Sequence, residues 1–452
     1  MKRAIQFFPV VFLLIITASA TEDYTKSPLT FSGFTASQHG QVVRGQYQWR
    51  QYNHVWTSNI LGGLVAQFVA SDYLTVRLGM EFNAWFNDYP LKMNAAKEPG
   101  NDKYWGIYLS EAFGRFSFLK HDAVSLKLDL GYFPYKYNPE VRCLGEYLFR
   151  SGTYPIYLIN NFDFPLARLE GGRLGLSYTS EYFGVNLDLM ALFEHEVRPF
   201  HDVTLASIFN FDIAKMFSLG GGVSFAHLIS VDEELTTPTL KSVPDAAQSM
   251  YVQDNDTGFY TFRGTKLMAR ATIDLFGIAR EKNALLGEIL GGSGGKLYGE
   301  LAIIGLKNYP SNSDVFGANP YGYDKLDEKT PVMFGFNIPF WKILDVFAIE
   351  FEHFKCPYPN HMLTVFRLGI PVPNAPGGQK PYDSTAYANK DNWKWSLYMK
   401  KRITNNFTCV LQMARNHERY TIDRGVWQNY DYQIKTVLPK EWLWHFKVQF
   451  DL

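Results

Sequence analysis

Residues 74–84 read LTVRLGMEFNA. Leu74, Val76, Leu78, Met80, Phe82 and Ala84 share one parity, and Thr75, Arg77, Gly79, Glu81 and Asn83 share the other. A helix would spread these side chains around its axis, whereas a strand sends alternate residues to opposite faces. The same pattern returns at 124–132, where Val124, Leu126, Leu128, Leu130 and Tyr132 oppose Ser125, Lys127, Asp129 and Gly131. It returns again at 185–193 and 266–275. Each strand has one apolar and one polar face.

Composition narrows the setting. The chain has 452 residues, of which 16% are aromatic and only 19% charged, with 44 basic and 44 acidic side chains in balance. That is too aromatic for a disordered chain and too neutral for a nucleic-acid binder, so no nucleic-acid partner is expected. A mean hydropathy of −0.16, with no run of about 18 apolar residues after residue 20, excludes a helical membrane protein. At the start, Lys2 and Arg3 precede an apolar stretch at 7–16 and the small residues Ala18-Ser19-Ala20. These are the parts of an export signal peptide, residues 1–20, with the mature domain expected over 21–452.

Alternation along the whole chain predicts about sixteen strands, near 29–42, 57–70, 73–86, 104–118, 123–135, 166–179, 182–195, 203–214, 217–230, 258–275, 296–308, 330–340, 346–355, 392–402, 407–418 and 441–452. Long connections (43–56, 87–103, 136–165, 231–257, 309–329, 356–391 and 419–440) alternate with tight turns such as Ser71-Asp72 and Thr404-Asn405-Asn406. The expected fold class is all-β: a transmembrane antiparallel β-barrel with long external loops and short periplasmic turns. An eighteen-strand count would need Cys143 to Asn160 to supply two more. A soluble β-sandwich would turn the same apolar faces inward, but it does not account for the loop asymmetry. One long segment on the short-turn side, 276–295, places Ile278, Leu285, Leu286, Ile289 and Leu290 on one helical face before Gly291–Gly295, which predicts a short periplasmic helix.

In the last strand Trp442, Trp444, Phe446, Val448, Phe450 and Leu452 alternate with Leu443, His445, Lys447, Gln449 and Asp451. This strand resembles the C-terminal signal of bacterial outer-membrane β-barrel proteins, with Leu452 where the family pattern prefers Phe. Residues 144–155 (LGEYLFRSGTYP) and 331–336 (PVMFGF) also look like uncharacterised exported barrels. The resemblance implies a multi-pass barrel of the bacterial outer membrane and contact with its lipid. It also implies recognition of the last strand by the barrel assembly machinery, and a homotrimer as an option, although no interface is legible.

A sixteen-stranded cylinder is too wide for side chains to fill, so function depends on what points inward. The expected pore-lining residues are Arg77, Glu81, Lys127, Asp129, Arg168, Glu170, Arg173, Asp188, Lys266, Arg270, Asp274 and Glu300, together with Asp212, Glu350, Glu352, Lys394, Lys400 and Lys447. Their balance predicts weak charge selectivity. Keeping both Arg168 and Glu170 inward with Arg173 requires a bulge at Gly171-Gly172. Porins, which this architecture resembles, often fold the third external loop into the lumen. Here that loop carries Arg142, Glu146, Arg150, Tyr154, Tyr157 and Asp163. Its charges would narrow and polarise a pore, and its rings offer a stacking surface for a saccharide ligand.

Signals for catalysis are weak. Gly291–Gly295 matches G-x-S-x-G, but a helix precedes it where that elbow needs a strand. His195-Glu196 and His201-Asp202 lack metalloprotease spacing, and Asp254-Asn255-Asp256 starts no calcium-loop pattern. No enzyme activity, metal or cofactor is expected. Cys143 and Cys356, in or beside external loops, are placed to pair. The expected function is a passive outer-membrane pore for small hydrophilic solutes. A barrel that grips polysaccharide through aromatic loops, or an outer-membrane hydrolase using His195 or His201, are the alternatives.

Overall fold

A computed structural model of the chain describes residues 28–47, 50–86, 103–121, 123–149, 167–193, 201–214, 216–229, 264–277, 295–308, 326–338, 343–355, 392–416, 419–424, 431–436 and 438–452. They contain β1 (Leu29–Tyr47), β2 (Arg50–Ser71), β3 (Leu74–Phe86), β4 (Lys103–Lys120), β5 (Val124–Tyr135), β6 (Ala167–Thr179), β7 (Phe183–Phe193), β8 (Val203–Ile213), β9 (Phe217–Ile229), β10 (Gly264–Asp274), β11 (Lys296–Asn308), β12 (Val332–Asn337), β13 (Val346–His353), β14 (Trp393–Thr404), β15 (Phe407–Arg415), β16 (Arg419–Arg424), β17 (Asp431–Lys435) and β18 (Trp442–Asp451). From β1 to β15 each strand pairs antiparallel with the next; β15 then pairs with β18, and β18 with β1. Leaving out β16 and β17, these strands close a sixteen-membered ring. Closure satisfies every edge N–H and C=O, as a sheet in hydrocarbon requires.

The two faces of the ring confirm the polarity of the alternation. Leu78, Met80, Phe82, Ile107, Leu130, Leu176, Leu189, Phe209, Leu219, Leu301, Phe334 and Phe446 are all exposed on the outside. A soluble surface rarely carries a contiguous apolar patch beyond a few hundred Å², so a ring of such side chains is a lipid-facing belt. The intervening residues, Arg77, Asp129 and Glu300 among them, point inward. Both ends of the described chain lie on the tight-turn rim, where the Leu452 N–H donates to the Gly33 carbonyl.

Three expectations are corrected. The segment 43–56 is not a loop: β1 runs to Tyr47 and β2 starts at Arg50, with Tyr47 paired to Arg50. Two strands beyond sixteen do exist, but they are β16 and β17 within 419–440, a hairpin attached to β1 through Gln46 and Lys435; the start of 143–160 forms only a 3-10 turn, Tyr147–Phe149. No bulge occurs at Gly171-Gly172, where pairing to β5 and β7 is unbroken. Gly131 and Gly171 instead face each other with φ of +126° and +141°. A Cβ at either would collide with a neighbouring carbonyl oxygen, of Ala112 and Ala191 respectively.

The leader, the segment 278–294, Asp254–Asp256, His195, Arg150, Tyr154, Tyr157, Asp163 and Cys356 lie outside the described residues. So does any pairing of Cys143 with Cys356.

Candidate functional site in the barrel lumen

The inner wall has two regions of different construction. Across β3 to β7 it is a lattice of arginines and acids. A bulge at Ser110, where β4 steps past Gly79 and Met80 of β3, turns Glu111 inward, and Arg77 Nη2 lies 2.9 Å from its Oε1. Arg115 grips Asp129 with two bonds, Nε to Oδ1 at 2.7 Å and Nη2 to Oδ2 at 3.1 Å. Arg173 Nη2 donates to the same Oδ2 at 2.5 Å. Arg168 reaches Glu81 at 2.7 Å, and the Tyr135 hydroxyl donates to Asp188 at 2.7 Å.

Aromatic faces carry the guanidinium groups. Arg77 and Arg115 lie 5.9 and 5.5 Å from the centre of the Phe113 ring, and Arg173 lies 5.7 and 5.4 Å from Phe133 and Tyr135. Such stacking holds a cation without neutralising it. The side chains of Arg77 and Arg115 are 34% and 35% exposed, while those of their partners Glu111 and Asp129 are 6% and 1% exposed. In these two pairs, and in Arg173–Asp129, the cation faces the lumen and the anion lies behind it, whereas in Arg168–Glu81 the acid is the more exposed partner.

Across β11 to β13 the wall carboxylates are covered. The segment 136–149, following β5, lies inside the barrel and is held by them. Glu350 accepts the backbone N–H groups of Arg142, Cys143 and Leu144 at 2.5, 2.7 and 2.9 Å, and the Tyr298 hydroxyl at 2.9 Å. Glu300 accepts the Tyr137 hydroxyl at 2.6 Å, the Asn138 side-chain amide at 2.9 Å and the Tyr147 N–H at 2.9 Å. Glu352 accepts the Tyr147 hydroxyl at 2.7 Å. From the segment itself, Glu140 receives Lys296 Nζ at 2.6 Å and the Asn337 amide at 3.3 Å. Lys296 and Asn337 pair with each other at the tight-turn end of β11 and β12, so the segment descends deep into the cylinder.

The segment can turn tightly because Gly145 and Glu146 both take left-handed backbone, φ +93° and +59°. At Gly145 the left-handed φ strains any residue that carries a Cβ, which would in addition have to push aside Met333 Cε, 2.8 Å away. Glu146 accepts the Asn138 N–H and closes the turn on itself. Burial drives the Tyr137 phenol well above its ordinary pKa, and the carboxylates of Glu300 and Glu146 add to the shift. The phenol therefore stays a hydrogen-bond donor.

Of the residues singled out in the sequence, Arg77, Glu81, Asp129, Arg168, Arg173 and Asp188 come together on the first wall, with Lys127 one inward position below Asp129. Glu300, Glu350, Glu352, Arg142 and Glu146 meet around the inner segment. Lys266 and Arg270 are buried on β10, where Arg270 Nε donates to Asn210 at 2.8 Å. Asp274 caps the turn after β10 by accepting the Phe276 N–H. Glu170 pairs across the sheet with Tyr132 and Phe193. Sequence reading missed Glu111 and Arg115, because the bulge at Ser110 reverses the parity of β4. It also missed Glu140 and Tyr298, whose partners are remote in sequence. Among the described residues no group of three or more His, Cys, Asp or Glu is arranged to hold a metal ion.

No protein-family model and no curated protein sequence matches the chain. Solved structures with a similar course include a triple-substituted porin of Rhodopseudomonas blastica, at 8% identity and a TM-score of 0.40, covering 94% of this chain and all of that one. Another is the low-pH structure of Pseudomonas putida OprB, at 10% identity and a TM-score of 0.41, covering 94% of this chain and 93% of that one. The assignment rests on the closed register and the apolar belt. The chain is a multi-pass outer-membrane β-barrel of porin-like architecture.

Proposed function

We propose that the barrel is a pore for passive diffusion of small hydrophilic solutes, narrowed on one side by 136–149, with a mild preference for anions. The observation that carries the reading is the arrangement of the first wall, where Arg77 and Arg115, with 34% and 35% of their side chains exposed, stand in front of buried Glu111 and Asp129. In a lumen of low dielectric surroundings, the charge nearest the solute dominates the field it meets. The carboxylates Glu300, Glu350 and Glu352 offset it less, because the inner segment covers them and keeps a solute at a distance. Solutes pass hydrated, and no chemical step is required. Export by the leader 1–20, insertion into outer-membrane lipid and recognition of β18 by the assembly machinery belong to the same reading.

Single-channel recording of the refolded mature chain in a planar bilayer tests it. Ohmic openings with a reversal potential displaced toward the anion equilibrium are expected in a salt gradient. A folded barrel without conductance would overturn the pore and favour a surface-binding barrel; cation preference would overturn the role given to the arginine wall. Oligosaccharide added during recording asks whether a sugar blocks the passage.

A further inference from the structure

Between the two walls described above, the strands around the β1–β18 seam turn a third kind of surface inward. Ser396 on β14, Gln412 on β15, His445 on β18 and Gln38 on β1 lie on the lumen side and are 1%, 1%, 1% and 3% exposed. None carries a fixed charge. Around them stand the aliphatic side chains of Ala36, Val410, Ala414 and Leu443, buried as well. The nearby cation of Lys447 is turned down its own strand: Nζ donates to Gln449 Oε1 at 2.9 Å, and the Gln449 amide donates to Asp451 at 2.7 Å.

Strand register arranges these groups around a recess. His445 is paired with Gln412 of β15 on one side and with Gly40 of β1 on the other. Gly40 has no side chain, and the imidazole leans into that place: a Cβ there would sit 3.0 Å from His445 Nδ1. Gln38, one inward position below Gly40, holds the lean by donating from Nε2 to Nδ1 at 3.0 Å. The ring is thereby drawn toward β1 and away from Gln412. Gln412 Nε2 accordingly has no hydrogen-bond partner. Neither has Gln38 Oε1 on the β1 side, nor Ser396 Oγ, which lies opposite Ala414 and so one inward position above Gln412.

A buried polar atom left without a partner is costly, and three of them share this patch. The group that satisfies them must accept from Gln412 Nε2, donate to Gln38 Oε1 and be apolar where Val410, Ala414 and Leu443 meet it. A secondary amide fulfils each condition. Its C=O accepts, its N–H donates, the two point to opposite sides of one plane, and its alkyl flanks carry nothing polar. A polyol would press hydroxyls against the aliphatic side chains, where they stay unpaired. An anion would find the Lys447 charge already directed elsewhere. We infer that this recess binds a short peptide through a backbone amide. Every peptide unit offers the same pair of groups, so the recess selects the class of ligand and not its sequence. The site is separate from the arginine wall and holds whether or not the barrel conducts.

Equilibrium dialysis of radiolabelled N-acetyl-trialanine amide against the refolded chain in detergent micelles tests the assignment without requiring conductance. Heat-modifiable mobility in gels first establishes that each barrel has folded. Saturable binding is expected for this peptide, and none for maltotriose at the same concentrations. The same peptide methylated at its backbone nitrogens cannot donate and should bind about tenfold more weakly, a comparison that uses the parent protein alone. The variant Gln412→Met keeps the length of the side chain and leaves the Gln38–His445 bond in place, and it should weaken the unmethylated peptide by about the same factor. Absence of saturable binding would show that water alone fills the recess and would overturn the site. Equal binding of maltotriose, equal binding of the methylated peptide, or an unchanged affinity in folded Gln412→Met would overturn it too.

Discussion

The two lumen walls have similar acids and use them in opposite ways. On β3 to β7, Asp129 and Glu111 meet arginines, and the pairs present their positive ends to the lumen. On β11 to β13, Glu300 and Glu350 meet backbone N–H groups and phenols, and hold a piece of chain. A tally of charges along inward rows treats these as equivalent, yet one set shapes a field and the other fixes a shape. The partner of each carboxylate decides its role.

Removing Glu350 should break this contrast most severely. In Glu350→Ala the N–H groups of Arg142, Cys143 and Leu144 and the Tyr298 hydroxyl all lose their acceptor, a loss of about 4 kcal/mol given 1–3 kcal/mol for each buried donor left unmade and incomplete additivity. The expected results are larger, noisier single-channel conductance and protease cleavage within 136–149, with the barrel intact; unchanged conductance would show that the segment does not narrow the passage. Asp129→Asn should act on the other wall alone. It removes the carboxylate that Arg115 and Arg173 share, so the anion-to-cation permeability ratio should rise about two- to threefold, by less than 1 kcal/mol in a hydrated passage, while conductance noise stays as in the parent.

Arg115→Ala should shift that ratio the opposite way by a similar factor, read as a reversal potential. If both variants moved it in the same direction, the field would not come from this wall. Tyr137→Phe should be milder than Glu350→Ala, about 1 kcal/mol for the hydroxyl that donates to Glu300 and accepts from Leu148, visible as partial cleavage. The smallest effect concerns pH. Because the folded Tyr137 phenol titrates above its ordinary value, its contribution is complete below the unfolded tyrosine pKa near 10. It declines only as pH rises beyond that toward the folded value. Protease resistance of 136–149 should therefore be equal at pH 7 and pH 9.

Where one side of a strand meets lipid and the other meets water, period two is strong, and β3, β5 and β7 are legible almost to the residue. Contrast fails where the backbone breaks the period. In β2 the buried residues are Val55, Thr57 and Asn59 on one parity, then Tyr52 on the other, with His54 between them at φ +56°; the stretch therefore reads as a loop. At Ser110 an extra residue does the same and hides Glu111. The inner segment was legible only by resemblance, since Glu350 and its three N–H partners are more than 200 positions apart. Nothing local to either announces the other.

The β1–β18 seam joins Phe34 to Asp451 and Arg44 to Trp442, the two ends of the described chain. Apart from β15–β18, every other strand pairing in the ring joins strands consecutive in sequence, so hairpins can form as the polypeptide is delivered. The seam and the β15–β18 pairing must wait for the residues of β18. Until they arrive the molecule is a curved ribbon with two open edges, each a template for pairing with another chain. The loop-closure term for bringing such distant ends together rises only slowly with length, so the hazard is one of time more than of energy. The interval between completing β15 and docking β18 is when this protein is most exposed to misassembly, and shortening that interval is what escort of the final strand would accomplish.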